Sequence, residues 1–236
     1  MAIDVTQESI RLYAKQLKIP TFSDYPDVLR QCPPDAGFAD LLLELMKQEG
    51  VSRQENQNKR RLKSAEFPYH KTIDEFDVTQ LNGTVSQIFI QELASCQFIK
   101  NRQNIVMIGP PGRGKTHLSS ALGLKACSLG FNVLFKNAAS LSTELCEAKD
   151  NYKLGKLERS IEKADLLILD EPVASLDPFA RREFLKELIN NVISYGTTVI
   201  FSTHILSDIE RIAIDISFLK DGFIALEGRL DQLLES

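Results

Sequence analysis

The stretch Gly109-Pro110-Pro111-Gly112-Arg113-Gly114-Lys115-Thr116 fits the pattern G-x-x-x-x-G-K-[ST] and stands directly between the apolar run Ile105–Ile108 and the helical stretch His117–Leu129. Strand, glycine-rich loop and helix in that order form a phosphate-binding loop, and they require a parallel sheet with the loop at its carboxyl edge. The glycines let the loop wrap backbone N–H groups around phosphate oxygens, and the helix N-terminus adds its positive dipole end. Lys115 is expected to bridge the β- and γ-phosphates of ATP, and Thr116 to ligate Mg²⁺. Gly109, Pro110, Pro111, Gly112, Arg113, Gly114 and His117 complete the expected nucleotide contacts, although a histidine at His117's position also serves as a packing residue. The bland alternative is a glycine-rich turn with a chance Lys-Thr, and the flanking strand and helix weigh against it.

Beyond Asn104, short β-rich runs alternate with helical stretches: Ile105–Ile108, Val133–Phe135, Leu166–Leu169, Thr197–Phe201 and Ile216–Leu219. Such alternation predicts an α/β fold of the P-loop NTPase type, a mostly parallel sheet flanked by helices, preceded by a small helical N-terminal region. Lys220-Asp221-Gly222 then reads as a hairpin turn into an antiparallel edge strand, Phe223–Leu226. Leu166-Leu167-Ile168-Leu169-Asp170-Glu171 is a buried strand ending in two carboxylates, the Walker B arrangement; alone it reads equally as an ordinary strand with an acidic loop. Beside the glycine-rich loop, Asp170 is expected to hold Mg²⁺ through water and Glu171 to polarise the attacking water. His204 ends the fourth run and is expected at the same sheet edge as Asp170, where it can hydrogen-bond the γ-phosphate.

The first 67 residues read as a helical region, possessing either DNA-binding or assembly character, and residues 68–236 as the ATPase domain. Prolines punctuate it at Ile19-Pro20 and at Cys32-Pro33-Pro34. Phe38, Leu41, Leu42, Leu45 and Met46 recur at helical spacing, predicting one apolar face that must dock. Ser52–Phe67 follows as a helix polar on nearly all sides, and Thr72–Phe76 reads as an extended connector to a helix over Val85–Phe98. Formal net charge is −4, yet from Arg53 to Lys71 six basic residues face only Glu55 and Glu66. Lys59, Arg60, Arg61 and Lys63 therefore suit either DNA phosphates or plain solvation. The four cysteines show no C-x-x-C spacing, which argues against zinc and a redox pair. No apolar run approaches 18 residues and the N-terminus lacks a signal-type h-region, so a cytoplasmic location is expected.

From about Thr6 to Glu171 the sequence resembles the IstB/DnaC-like AAA+ helper ATPases of bacterial insertion sequences. The resemblance runs through Lys59-Arg60-Arg61-Leu62-Lys63, Phe67-Pro68-Tyr69, Lys71-Thr72, Phe76-Asp77, the loop Gly109–Leu118, and Gly155-Lys156-Leu157-Glu158 to Glu171. It implies binding of double-stranded DNA, an ATP-dependent homo-oligomer, and delivery of target DNA to a transposase. From about residue 166 to 236 the chain is also similar to the C-terminal half of an ABC transporter ATP-binding protein. Asp170-Glu171-Pro172, Ala174-Ser175-Leu176-Asp177-Pro178 and Phe201-Ser202-Thr203-His204 carry that likeness, with Asp177 as D-loop aspartate and His204 as switch histidine. No L-S-G-G-Q lies upstream of Asp170, however, and Lys115 to Asp170 spans only 55 residues. Residues 68–171 then form an IstB-like part of the ATPase domain and residues 172–236 an ABC-like tail. The alternative readings are an ABC-type subunit coupled to a membrane permease, or a recombination relic that binds nucleotide without coupled work. The AAA+ arginine finger falls in the exchanged part, so hydrolysis is expected to be slow.

Overall fold

Four consecutive aliphatic side chains, Leu166 to Leu169, leave no polar face for solvent, so their strand must be covered on both sides. The computed structural model describes residues 5–76, 87–108, 111–137, 159–170 and 194–203, with the strand backbones of 215–220 and 223–229. In it all four side chains are 0% exposed. Their strand, β3 (Leu166–Asp170), belongs to a four-stranded sheet with β1 (Ile105–Ile108), β2 (Val133–Asn137) and β4 (Thr198–Thr203). The order is β1-β4-β3-β2 and every pair is parallel. The parallel α/β architecture thus agrees with the sequence, and β4, the last of these four strands in the chain, sits in the interior of the sheet. In register, Ile200 lies opposite both Ile105 and Ile168, and Ser202 opposite both Met107 and Asp170.

Helix α6 (Lys115–Ser128) carries the chain from β1 toward β2 and buries Leu118, Leu122 and Ala126 against Val133, Phe135, Leu166, Ile168 and Ile200. Gly123 allows the close approach: a Cβ there would sit 2.6 Å from Phe67 Cε1 and 2.7 Å from Ile168 Cδ1. The end of α3 (Phe38–Ala65) contributes Ala65 to the same core, followed by α4 (Gln87–Ala94) with Ile90 and α5 (Gln97–Lys100) with Phe98 and Ile99.

Contacts divide the chain at Arg60 and Arg61, within α3, into two units. The first holds α1 (Val5–Gln16), a 3₁₀ turn over Pro20–Asp24, α2 (Tyr25–Gln31) and most of α3. Cys32 takes an extended ψ of 149° ahead of Pro33, which stops α2. The Asp40 carboxylate accepts the Gly37 N–H at 2.9 Å where α3 begins. Inside the unit the buried Glu49 carboxylate accepts the Thr21 N–H at 3.2 Å, the Thr21 hydroxyl at 2.6 Å and Arg53 Nε at 2.7 Å. Arg53 Nη2 continues to the Lys18 carbonyl at 2.6 Å, so one acid ties the 3₁₀ turn to α3.

Five sequence expectations change. Phe38–Met46 and Ser52–Phe67 are not separate helices but one, Phe38–Ala65, because Gly50 is tolerated and no proline intervenes. Of the predicted apolar face, Leu45 is buried while Phe38, Leu42 and Met46 stay exposed. The connector is turned rather than extended, with Phe76 N–H on the Ile73 carbonyl at 3.0 Å and Thr72 N–H on Glu75 Oε2 at 2.6 Å. The following helix breaks at Cys96, whose φ of 55° is left-handed. The fifth β run does not join the parallel sheet among the described residues. β5 (Asp215–Lys220) pairs antiparallel with β6 (Phe223–Arg229) in a sheet of two, since only two residues separate them.

Burial alone pushes the Glu49 carboxyl up, but the hydrogen bonds from Thr21 and Arg53 outweigh it and hold its pKa below the ordinary 4.5. A depressed carboxylate stabilises the fold fully above its unfolded pKa, and the stabilisation fades as pH falls through the folded value. Wild type is therefore expected to exceed Glu49→Gln by about 1 kcal/mol near neutrality. Thermal unfolding of both chains across the acid range should show the gap closing below pH 4.5; a gap independent of pH would refute the assignment.

Candidate nucleotide-binding site

The loop after β1 reverses direction through residues that need positive φ. Gly112 has φ 75° in open space, and Gly114, which precedes α6, has φ 83° with its Cβ position 3.1 Å from Phe76 Cε2. Pro111, just before Gly112, and Arg113, between the two glycines, are exposed turn residues. Lys115 opens α6, so the helix N-terminus and a lysine cation share the end of the sheet's first strand. Gly109 and Pro110 lie outside the described residues.

Thr116 donates its hydroxyl to Asp170 Oδ1 at 3.1 Å. The neighbouring strand adds Ser202, whose hydroxyl donates to the same oxygen. Asp170 is only 6% exposed, and among the described residues it makes no ion pair. A hydroxyl and a carboxylate oxygen side by side are the hard donors that Mg²⁺ takes, so Thr116 and Asp170 fit that ion.

The connector lines the other side of α6. His117 meets Phe76 edge-on, with centroids 5.1 Å apart, and its Nε2 lies 3.3 Å from the Thr72 carbonyl. This contact turns His117 toward the connector. Tyr69 is half-buried, and its hydroxyl faces those of Thr116 and Ser120. Burial first, and the Asp170 charge second, push its pKa above the ordinary phenol value. Glu171 and His204 lie outside the described residues, as do Asp177 and the ABC-like turn around it. In α3, Lys59, Arg60 and Lys63 are exposed, whereas Arg61 is half-buried near Cys127. Cys96 and Cys127 are buried, and burial pushes both thiols up to about 11. Among the described residues no cluster of metal-ligating side chains other than this hydroxyl–carboxylate pair stands out, and no helix is long and apolar enough to cross a membrane.

Two side chains at this site escaped the sequence reading. Ser202 had a usable signal, a polar residue closing an apolar strand at the level of Asp170. Tyr69 had none, because its approach depends on the path of the connector along α6.

A family model described as IstB-like ATP binding protein matches residues 14–219. The ATP-binding protein of insertion sequence IS5376 from Geobacillus stearothermophilus is 33% identical over 73% of this chain and 69% of its own length. That of insertion sequence IS21 from Pseudomonas aeruginosa is 36% identical over 58% of this chain, which spans 51% of that relative. The lantibiotic transport ATP-binding protein SrtF of Streptococcus pyogenes is 43% identical over a shorter 34% of this chain. The family match therefore continues past Pro172, while the ABC-type similarity is local.

Replacing Asp170 with asparagine keeps an acceptor for both hydroxyls and removes the anionic oxygen that suits Mg²⁺. Asp170→Asn is therefore expected to melt near wild type in EDTA without nucleotide and to lose the upward shift in melting temperature that MgCl₂ with ATP gives wild type. Thermal unfolding in both conditions measures it, and an equal shift in the variant would contradict the assignment of Asp170.

Proposed function

The chain belongs to the IstB-like family of ATP-binding proteins, and from that premise we propose that it is a DNA-associated ATPase assisting a transposase. The observation that carries the reading is the Thr116–Asp170 hydrogen bond, 3.1 Å long, which joins the start of α6 to the end of β3 beside the left-handed Gly114. Lys115 and the loop N–H groups bind the β- and γ-phosphates of ATP, with Gly109 to His117 forming the contact segment. Thr116 and Asp170 hold Mg²⁺, which neutralises charge on the phosphate oxygens. Glu171 positions the attacking water, and His204 hydrogen-bonds the γ-phosphate. Residues 68–236 make up this ATPase domain. Residues 1–67 supply Lys59, Arg60, Arg61 and Lys63 to duplex DNA, contacting phosphates without reading sequence. A homo-oligomer assembled on ATP presents that DNA to the transposase. Turnover is slow, because an arginine finger is worth roughly 10³- to 10⁵-fold and the resemblance puts it in the part of the chain that the ABC-like tail replaces.

Lys115→Ala is expected to abolish binding of a fluorescent ATP analogue, and Glu171→Gln to bind it normally while losing hydrolysis. Unchanged affinity in Lys115→Ala would remove the phosphate-site assignment.

Each lysine or arginine on a DNA phosphate contributes about 0.9 to the slope of log K against log salt. Replacing Arg60, Arg61 and Lys63 together by alanine should flatten that slope by up to about three such steps, read from duplex binding across a salt series. Absence of wild-type DNA binding at low salt would end the DNA reading while leaving the nucleotide site untouched.

A further inference from the structure

The chain from Phe67 to Phe76 runs beside α6 toward its N-terminus, touching it in sequence order. Phe67 packs at Gly123, the Tyr69 hydroxyl faces Ser120 and Thr116, Thr72 meets His117, and Phe76 covers Gly114. Tyr69 is the side chain of this series that brings a hydroxyl to the Thr116–Asp170 pair. Its ring is held from outside by Lys71, whose Nζ lies 5.6 Å from the centroid. Ser120, one helical turn beyond Thr116 and on the same face, is 0% exposed, and its Oγ has no hydrogen-bond partner. A buried hydroxyl without a partner costs about the worth of a hydrogen bond, so this atom calls for one. Thr116 and Ser202 already direct their protons to Asp170 Oδ1.

We infer that Tyr69 is a positioning residue for the metal–nucleotide complex, closing a chain of donors from Ser120 O–H to Tyr69 Oη, from Tyr69 O–H to Thr116 Oγ1, and from Thr116 O–H to Asp170. Each proton is used once. Ser120 gains its partner, and Thr116 is fixed with one lone pair left for the cation. The inference rests on reading Thr116 and Asp170 as the Mg²⁺ site. Tyr69 touches neither nucleotide nor metal; it sets the rotamer of the threonine that does.

The test is binding of a fluorescent ATP analogue to the full chain, first in EDTA and then along a MgCl₂ titration, for wild type, Tyr69→Phe, Ser120→Ala and the double variant. Tyr69→Phe is expected to keep wild-type affinity in EDTA and to need about tenfold more Mg²⁺ for half-maximal tightening, as for a residue that orients a metal ligand. Ser120→Ala should shift the titration the same way by less, and the double variant no further than Tyr69→Phe, because the two act through one chain. Superimposable Mg²⁺ titrations would overturn the inference, and so would an equal loss of affinity in EDTA and in Mg²⁺, which marks a merely structural side chain. Wild-type chain that fails to bind both in EDTA and at saturating Mg²⁺ would instead overturn the nucleotide site itself, and this inference with it.

Discussion

One carboxylate oxygen gathers three separate elements. Asp170 ends β3, Thr116 opens α6 and Ser202 nears the end of β4, and both hydroxyls converge on Asp170 Oδ1. The convergence exists only because β3 and β4 are register-matched neighbours with Asp170 opposite Ser202. It needs α6 to start at the same level of the sheet, which the left-handed turn at Gly114 arranges. Sheet order, register and loop conformation are thus all consequences of, or conditions for, a buried acid at one edge.

The same logic explains the burial pattern. β3 lies between β4 and β2 and is covered on both faces, so it can be aliphatic throughout. β1 lies at an edge among the described strands, and its four residues are only partly buried or exposed. Lys136 in β2 is nearly buried and reaches Glu66 at 2.8 Å, so even the outer strand is tied to the segment leaving α3.

Strand identity was legible because strands buried on both faces are continuous apolar runs, a pattern that Leu166–Leu169 and Val199–Phe201 spell without ambiguity. The glycine-rich loop was legible because its chemistry is local. Helix breaks were not: the left-handed Cys96 is imposed by tertiary packing on a residue with no turn chemistry of its own. The single long α3 was missed because a change in polarity along a helix resembles a boundary when only composition is visible. Tyr69 was invisible for the opposite reason, since nothing in its neighbourhood in sequence states which helix the connector will follow.

The position of β4 has a further consequence for how the protein is made. The strand that lies between β1 and β3 is synthesised after both of them, from residues 198–203. Until it emerges from the ribosome, β1 has no partner in this sheet and β3 has β2 alone. A nascent chain in that condition presents unpaired parallel edges and apolar faces, the circumstances that slow folding and invite chaperones. Completion of the sheet is therefore a late and nonlocal event, in which a strand is inserted between two others rather than added at a side.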